Sequence, residues 1–123
     1  MRSRFTAFAL GNWPYLWRTL HPDHVDRRGA YEDWARAAVA GARGATFRSL
    51  RILDVGPQGQ DSFAHVLFAA EVSMGRQDAS FIEHSRFSRD GEGWRYLDGI
   101  TLNRSQVKVP LRALDFASFD ELV

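Results

Sequence analysis

The sequence predicts an α+β protein in which N-terminal helices pack on a curved antiparallel sheet. Apolar residues recur with a helical period over about the first 40 residues. From Thr46 onward the period falls to two, as expected for strands buried on one face. The stretch from Ser80 to Ile100 gives two strands around the turn at 90–93, where two glycines tolerate the positive φ of a tight hairpin. Helices followed by such a meander are typical of the α+β class.

Three helices are predicted ahead of the sheet. Their expected bounds are Arg2 to Leu10, about Trp13 to Leu20, and Tyr31 to about Ala40. Gly11 is a natural stop for the first helix, and the second ends before Pro22 because the residue preceding a proline avoids helical angles. The polar residues 23–29 form a loop between the second and third helices.

An antiparallel meander of four strands follows. We expect strands over Phe47 to Val55 and Ser62 to Ser73, and a hairpin whose strands begin near Phe81 and Trp94. The second strand is almost continuously apolar, which indicates a central position. A polar connection spans 75–78. Near the C-terminus, Gln106 to Leu111 suggests an edge strand, where Pro110 is tolerated, and Phe116 to Leu122 suggests a closing helix.

Composition restricts the function classes. A chain of 123 residues is expected to form one domain, spanning 1–123. Its net charge of +1 gives no electrostatic footprint for nucleic acid, and no apolar run approaches a membrane span. The absence of cysteine excludes disulfides and thiolate metal sites and fits a reducing, cytoplasmic location. The N-terminus is interpreted as an amphipathic helix rather than a signal peptide. No cofactor is expected.

Several motifs in order resemble the central domain of YchJ-like proteins, over about the first 100 residues. They are 1–8 (MRSRFTAF), Tyr15-Leu16, 19–22 (TLHP), Val66-x-Phe68, Glu83-x-Ser85-x-Phe87, Gly93-Trp94 and Tyr96-x-x-Gly99. The resemblance implies a nuclear transport factor 2-like (cystatin-like) fold, in which a curved sheet wraps around helices to make a cone with a pocket. It implies no particular reaction.

The chain departs from that family in one respect. Family members usually carry a cysteine-rich, zinc-binding SEC-C motif before the Met-Arg-Ser-Arg segment, whereas none of these 123 residues is cysteine. We therefore expect a natural short form or a trimmed start, and no role that depends on that zinc module is carried over.

Glu83 is the most informative candidate site residue. Alternation places it on one face with Phe81, Ser85 and Phe87, so it is expected to point into the cone. A lone buried carboxylate is costly, so it should be paired or protonated. The first interpretation is a structural ion pair with Arg2 or Arg4, and the second is a pocket carboxylate that acts as a general base. The third is a carboxylate that is simply exposed to solvent.

Other candidates for acid–base chemistry are His65 and Asp98. A His–Glu or His–Asp98 pair would suit proton transfer. Alternation places His84 opposite Glu83, so we expect His84 on the surface or at a dimer contact. The stretch 21–26 (HPDHVD) holds metal-ligand residue types, but helix termination and loop solvation explain them, and no metal is expected.

The aromatic residues are expected to fill the core or to line an apolar cavity. The candidate ligand-binding set is Tyr15, Trp34, Ser85, Trp94 and Tyr96. The preferred hypothesis is a domain that binds a small apolar ligand or a protein partner without catalysis, with a homodimer through the open sheet face. The alternatives are an isomerase-, dehydratase- or hydrolase-type enzyme using Glu83 or Asp98, and a protein–protein interaction module.

Overall fold

The computed structural model describes residues 1–123 and confirms the α+β class. The helices are α1 (Arg2–Leu10), α2 (Trp13–Arg18), α3 (Tyr31–Ala42) and α4 (Phe116–Leu122). The strands are β1 (Ala45–Gly56), β2 (Ala64–Met74), β3 (Gln77–Asp78), β4 (Phe81–Asp90) and β5 (Gly93–Asn103). Short 3-10 helices cover Val25–Arg28, Arg104–Gln106 and Leu111–Ala113.

The strands form one antiparallel sheet. Its order is β1-β2-β4-β5, and the short β3 pairs with the end of β2. Apolar β2 lies inside the sheet, as its composition predicted. The register shifts between Phe47 and Ser49, between Ile52 and Asp54, and between Arg86 and Phe87. An extra residue in one strand bends that strand and increases its twist, so these irregularities curve the sheet.

The N-terminal helices cover one face of this sheet, which we call the helix side. Phe5 of α1 packs edge-on against Phe47 of β1, with ring centroids 5.7 Å apart. Phe68 of β2 is buried on the same side, and Glu83 is its cross-strand partner in β4. The alternation of β4 is therefore as predicted: Phe81, Glu83 and Ser85 share the helix side.

The C-terminal segment, residues 104–122, covers the opposite face. Leu67 and Ile82 are fully buried there and belong to one core cluster with Phe116 and Phe119 of α4. The predicted closing helix is confirmed with its bounds. The predicted edge strand is wrong, because residues 107–110 are irregular chain between two 3-10 helices that folds over the sheet face instead of pairing at an edge.

This C-terminal cover lies on the surface expected for a homodimer contact. The sheet face that we expected to be open for a homodimer is occupied in large part by the chain's own C-terminal segment. The homodimer itself stays a prediction.

Helix α2 ends at Arg18, two residues before the predicted end. Beyond it, Tyr96 of β5 donates its backbone N–H to Thr19 and accepts one from His21, both at 2.7 Å. This extended pairing places Leu20 in the core although it is not helical. Helix α3 ends two residues later than predicted, at Ala42. None of the helices is both long and apolar enough to cross a bilayer.

Candidate functional site

The carboxylate of Glu83 is held by three hydroxyl donors on the helix side. Ser85 and Tyr96 donate to Oε2, at 2.5 and 2.8 Å, and Thr101 donates to Oε1 at 2.9 Å. Ser85 lies two residues along β4, while Tyr96 and Thr101 lie on the neighbouring β5. We call Glu83 and these three donors the carboxylate cluster. Its hydrogen bonds satisfy a half-buried charge without a direct cation.

Gly99 provides the space for this cluster. A Cβ atom at this position would lie 2.6 Å from Cδ of Glu83 and 2.7 Å from the hydroxyl oxygen of Tyr96. Real Cβ contacts below 3.0 Å are essentially never seen, so any other residue here would force the two side chains apart. The requirement is one of space, since the φ angle of Gly99 is not in the left-handed region.

We therefore expect Gly99→Ala to lower the free energy of unfolding by about 2 kcal/mol, in the range typical of overpacking. Urea unfolding followed by tryptophan fluorescence would measure the change. Gly91→Ala is a matched control in the same hairpin, because its Cβ would meet nothing within 4 Å and its φ is ordinary. Equal unfolding midpoints for the two variants would contradict the role assigned to Gly99.

Arg4 lies next to the carboxylate cluster but does not pair with it. Its side chain is buried and donates to the backbone oxygen of Leu16 at 3.0 Å and to the hydroxyl of Thr19 at 2.5 Å. Its guanidinium lies over the ring of Tyr96, 4.9 Å from the centroid. No ion pair joins Glu83 to Arg2 or Arg4, so the predicted ion pair is corrected. Tyr96 therefore lies between the two charged groups: its hydroxyl donates to the Glu83 carboxylate, and the Arg4 guanidinium lies over the face of the Tyr96 ring.

Burial and nearby charges shift the pKa values of Tyr96 and His24. Burial, followed by the adjacent Glu83 carboxylate, raises the pKa of Tyr96, so its hydroxyl stays a donor. The ring of His24 lies 5.6 Å from that of Tyr96, and burial is the main cause that lowers the pKa of this imidazole. Its Nδ1 accepts the backbone N–H of Asp26, which caps the 3-10 helix. His24 thus packs beside the carboxylate cluster, whereas it was predicted to belong only to a solvated loop.

A cavity of about 270 Å³ opens between α1, α2 and the β4–β5 turn. We call it the helix-side cavity; its lining includes Arg4, Tyr15, Arg18, Thr19, Trp94 and Arg95. Arg95 forms ion pairs with Asp90 and Glu92, whereas Arg4 and Arg18 pair with no carboxylate. Because Arg4 both lines the cavity and stacks on Tyr96, the carboxylate cluster lies directly behind the cavity wall.

The structure divides the predicted ligand-binding set. Tyr15 and Trp94 line the helix-side cavity, and Ser85 and Tyr96 belong to the carboxylate cluster. Trp34 lies elsewhere: it packs against Trp17 and Tyr31, and its indole N–H donates to Asp26.

The predicted catalytic candidates do not converge. Glu83 faces the helix side. His65, Arg86 and Asp98 are neighbours in the register of β2, β4 and β5, and all three side chains lie on the opposite face. Arg86 donates to both carboxylate oxygens of Asp98, at 2.8 and 2.6 Å, and this bidentate contact lowers the pKa of Asp98. Neither a His–Glu nor a His–Asp98 pair forms: strand alternation separates His65 from Glu83, whereas Asp98 shares the face of His65 but is held by Arg86.

His65 instead contacts His84, with 2.8 Å between Nδ1 of His65 and Nε2 of His84. His84 was expected on the surface, yet its side chain is only 10% exposed because Phe116 of α4 packs on it, with ring centroids 4.7 Å apart. Both imidazoles line a second cavity of about 420 Å³, the histidine cavity, together with Arg86, Asp98 and Asp120. No group of three or more metal-ligand side chains converges anywhere in the chain.

Comparison with known proteins identifies the fold family. Residues 1–99 match the model of the YchJ middle NTF2-like domain. The chain belongs to this family. It is similar to UPF0225 protein SG1365 of Sodalis glossinidius (strain morsitans), at 39% identity over 102 residues, and to UPF0225 protein Ent638_2310 of Enterobacter sp. (strain 638), at 32% over 101 residues. Each match covers 80% of this chain and 62% of the relative, so the chain spans less than two thirds of their length.

A solved structure shows the same fold. The solution structure of RPA3114, a SEC-C motif containing protein from Rhodopseudomonas palustris, matches with a TM-score of 0.66 and 27% identity. The match covers 84% of this chain and 76% of that protein. The YchJ-type domain, as matched over residues 1–99, contains Arg4, Glu83, Tyr96 and Gly99, whereas Thr101 and the C-terminal segment lie beyond it.

Proposed function

We propose that this YchJ-type domain binds a small organic anion in the helix-side cavity and does not itself catalyse a reaction. The observation that carries the proposal is the unbalanced charge of the cavity wall. Arg18 contributes a cation with no carboxylate partner, Arg4 adds a second guanidinium that no carboxylate contacts directly, and the two carboxylates beside Arg95 are both engaged by it. An anionic group in the ligand would supply the missing negative charge.

The rest of the cavity wall favours an apolar body on this ligand. Trp94 lines the cavity and is 52% exposed, so part of its ring is accessible to a ligand. Tyr15 and Phe87 add aromatic surface, and the Arg18 guanidinium lies 5.4 Å from the ring centroid of Tyr15. The volume of about 270 Å³ is just below the usual range for ligand sites, roughly 300–1,000 Å³, and suits only a small ligand. An aromatic carboxylate is a ligand of this kind.

The contacts of the two candidate bases do not favour the acid–base alternative. Three hydroxyl groups donate hydrogen bonds to the carboxylate of Glu83, and Arg86 donates to both carboxylate oxygens of Asp98. A general base needs a free lone pair within reach of a substrate proton. None of the five main cavities is lined by Glu83, so the cluster supports the cavity wall from behind.

Titration with benzoate, and with benzamide as its uncharged counterpart, would test the proposal. We expect benzoate to shift the NMR signals of the Trp94 indole and of the backbone around Arg18, and benzamide to bind at least fivefold more weakly. Arg18→Gln should weaken benzoate binding about tenfold, the effect of losing one charge-assisted contact.

Arg112→Gln is the matched control, because Arg112 is an exposed arginine in the C-terminal segment on the other side of the sheet. It should leave benzoate binding unchanged. Equal binding of benzoate and benzamide, or shifts that map away from the helix-side cavity, would overturn the proposal.

A further inference from the structure

We propose that His65 and His84 together form a binding site for a single proton, and that this proton fastens helix α4 to the sheet. The two imidazoles are the middle of a continuous hydrogen-bonded chain. Nε2 of His65 contacts the Asp61 carboxylate at 2.9 Å, and Nδ1 of His65 contacts Nε2 of His84 at 2.8 Å. Nδ1 of His84 then contacts Asp120 of α4 at 2.9 Å.

Counting protons along this chain fixes its charge. An ionised carboxylate only accepts, so each of the two outer contacts needs an N–H from its imidazole. The contact between the rings needs one further N–H. Three protons must therefore lie on four ring nitrogens, whereas two neutral imidazoles carry only two. The geometry is fully satisfied by one imidazolium and one neutral imidazole that share the central proton.

Neither neighbouring charge state fits the same positions. With one proton fewer, one of the three contacts brings two lone pairs together. With one proton more, two N–H groups face each other across the 2.8 Å between the rings. The site is thus specific for one proton, and both rings have low exposure, His65 being 6% exposed and the His84 side chain 10%, so a lost contact is costly.

The surrounding charges favour the proton. Asp61 faces the pair from the loop before β2, Asp98 from β5, and Asp120 from α4. Arg86 of β4 is the one facing cation; it holds Asp98 and lies 3.6 Å from Asp61. The hydrogen bond from His65 is the main cause that lowers the pKa of Asp61, which keeps that carboxylate ionised as the proton count requires. Three carboxylates against one guanidinium leave the pair in a negative field that attracts one positive charge.

The proton has a structural consequence because the chain joins separate elements. Asp120 is the polar contact of α4 with this pair, beside Phe116 and Phe119, whose rings pack on His84. Unfolded histidines lose their protons around pH 6.5. Above that pH the native pair holds more protons than the unfolded chain, so its contribution falls as pH rises; below it, the native pair holds fewer, so its contribution falls as pH decreases. Attachment of α4 should be strongest close to pH 6.5.

Nitrogen-15 NMR of the imidazoles in the 123-residue domain would test the site directly. At pH 6.5–7 we expect three protons on the two rings of His65 and His84, with one N–H signal that exchanges slowly with water. His21 is the internal reference for the NMR spectra, since it does not contact this chain. Two singly protonated rings over this range, or signals of the two rings that change with pH independently of each other, would overturn the proposal.

Asp120→Asn separates the proton site from a purely structural contact. It removes one of the attracting charges while keeping the side-chain shape, so the pH at which the shared proton is lost should fall by at least one unit, a tenfold loss of proton affinity. Hydrogen-exchange protection of the α4 amides should fall at the same lower pH. Glu121→Gln, an adjacent exposed carboxylate on α4, is the control and should change neither. Identical titrations for the two variants would contradict the proposal.

Discussion

Arg4→Ala should lower the free energy of unfolding by about 3–4 kcal/mol, the largest effect that we expect from a single substitution in this domain. The side chain is 6% exposed and fills the space between α1, α2 and β5. Its removal leaves the backbone oxygen of Leu16 and the hydroxyl of Thr19 without their donor, and uncovers the ring of Tyr96. Chemical denaturation followed by circular dichroism would measure the loss.

Arg2→Ala is the control for this experiment. Arg2 lies on the same helix and loses the same charge, but it is exposed and has no partner in the fold. Its replacement should change stability by less than about 0.5 kcal/mol. If both variants unfolded at the same denaturant concentration, the contacts of the Arg4 side chain would not stabilise the fold.

Glu83→Ala is expected to cost about 3 kcal/mol. The substitution orphans the hydroxyls of Ser85, which is fully buried, and of Tyr96, and each unsatisfied buried polar group costs about 1–3 kcal/mol. It also removes a negative charge close to the buried guanidinium of Arg4. Thermal and urea unfolding would measure the effect, with Glu71→Ala, an exposed carboxylate on β2, as control. An unchanged midpoint would refute a structural role for Glu83.

The double variant connects these two predictions. Arg4 and Glu83 both contact Tyr96, one at the ring face and the other at the hydroxyl. Groups that share a partner are energetically coupled, so the double loss should be smaller than the sum by about 1 kcal/mol. Additive losses would show that the arginine and the carboxylate stabilise the domain independently.

Local sequence signals were sufficient for the four helices, the four long strands and the faces of those strands, but not for residues 106–111, which were wrongly predicted as an edge strand. Alternation correctly placed Glu83 and Ser85 on the helix side and His84 on the other, because a period of two leaves no freedom within a regular strand. The boundaries that failed depended on distant contacts. Leu20 is extended rather than helical because it pairs with Tyr96 of β5, and no residue near Leu20 in the sequence indicates this pairing.

The contacts of the site were harder to predict than its location. Burial of Glu83 implied compensation, but the sequence could not distinguish an arginine from three hydroxyls, since Thr101 and Tyr96 reach the carboxylate only after β5 pairs with β4. His84 was assigned to the surface because the role of α4 was not recognised. A signal was present: Phe116 and Phe119 lie on one face of a short helix that needs an apolar surface to cover.

The opposite ends of the chain close opposite faces of the sheet, and this has a consequence for how the protein is made. During synthesis the N-terminal helices and all five strands emerge from the ribosome before the residues that bury Leu67 and Ile82. At this stage the apolar residues on the helix side can already be covered, whereas the apolar residues on the opposite face of the sheet are exposed. The C-terminal segment, residues 104–122, therefore covers this apolar surface and ends the period in which the nascent chain is most prone to aggregate.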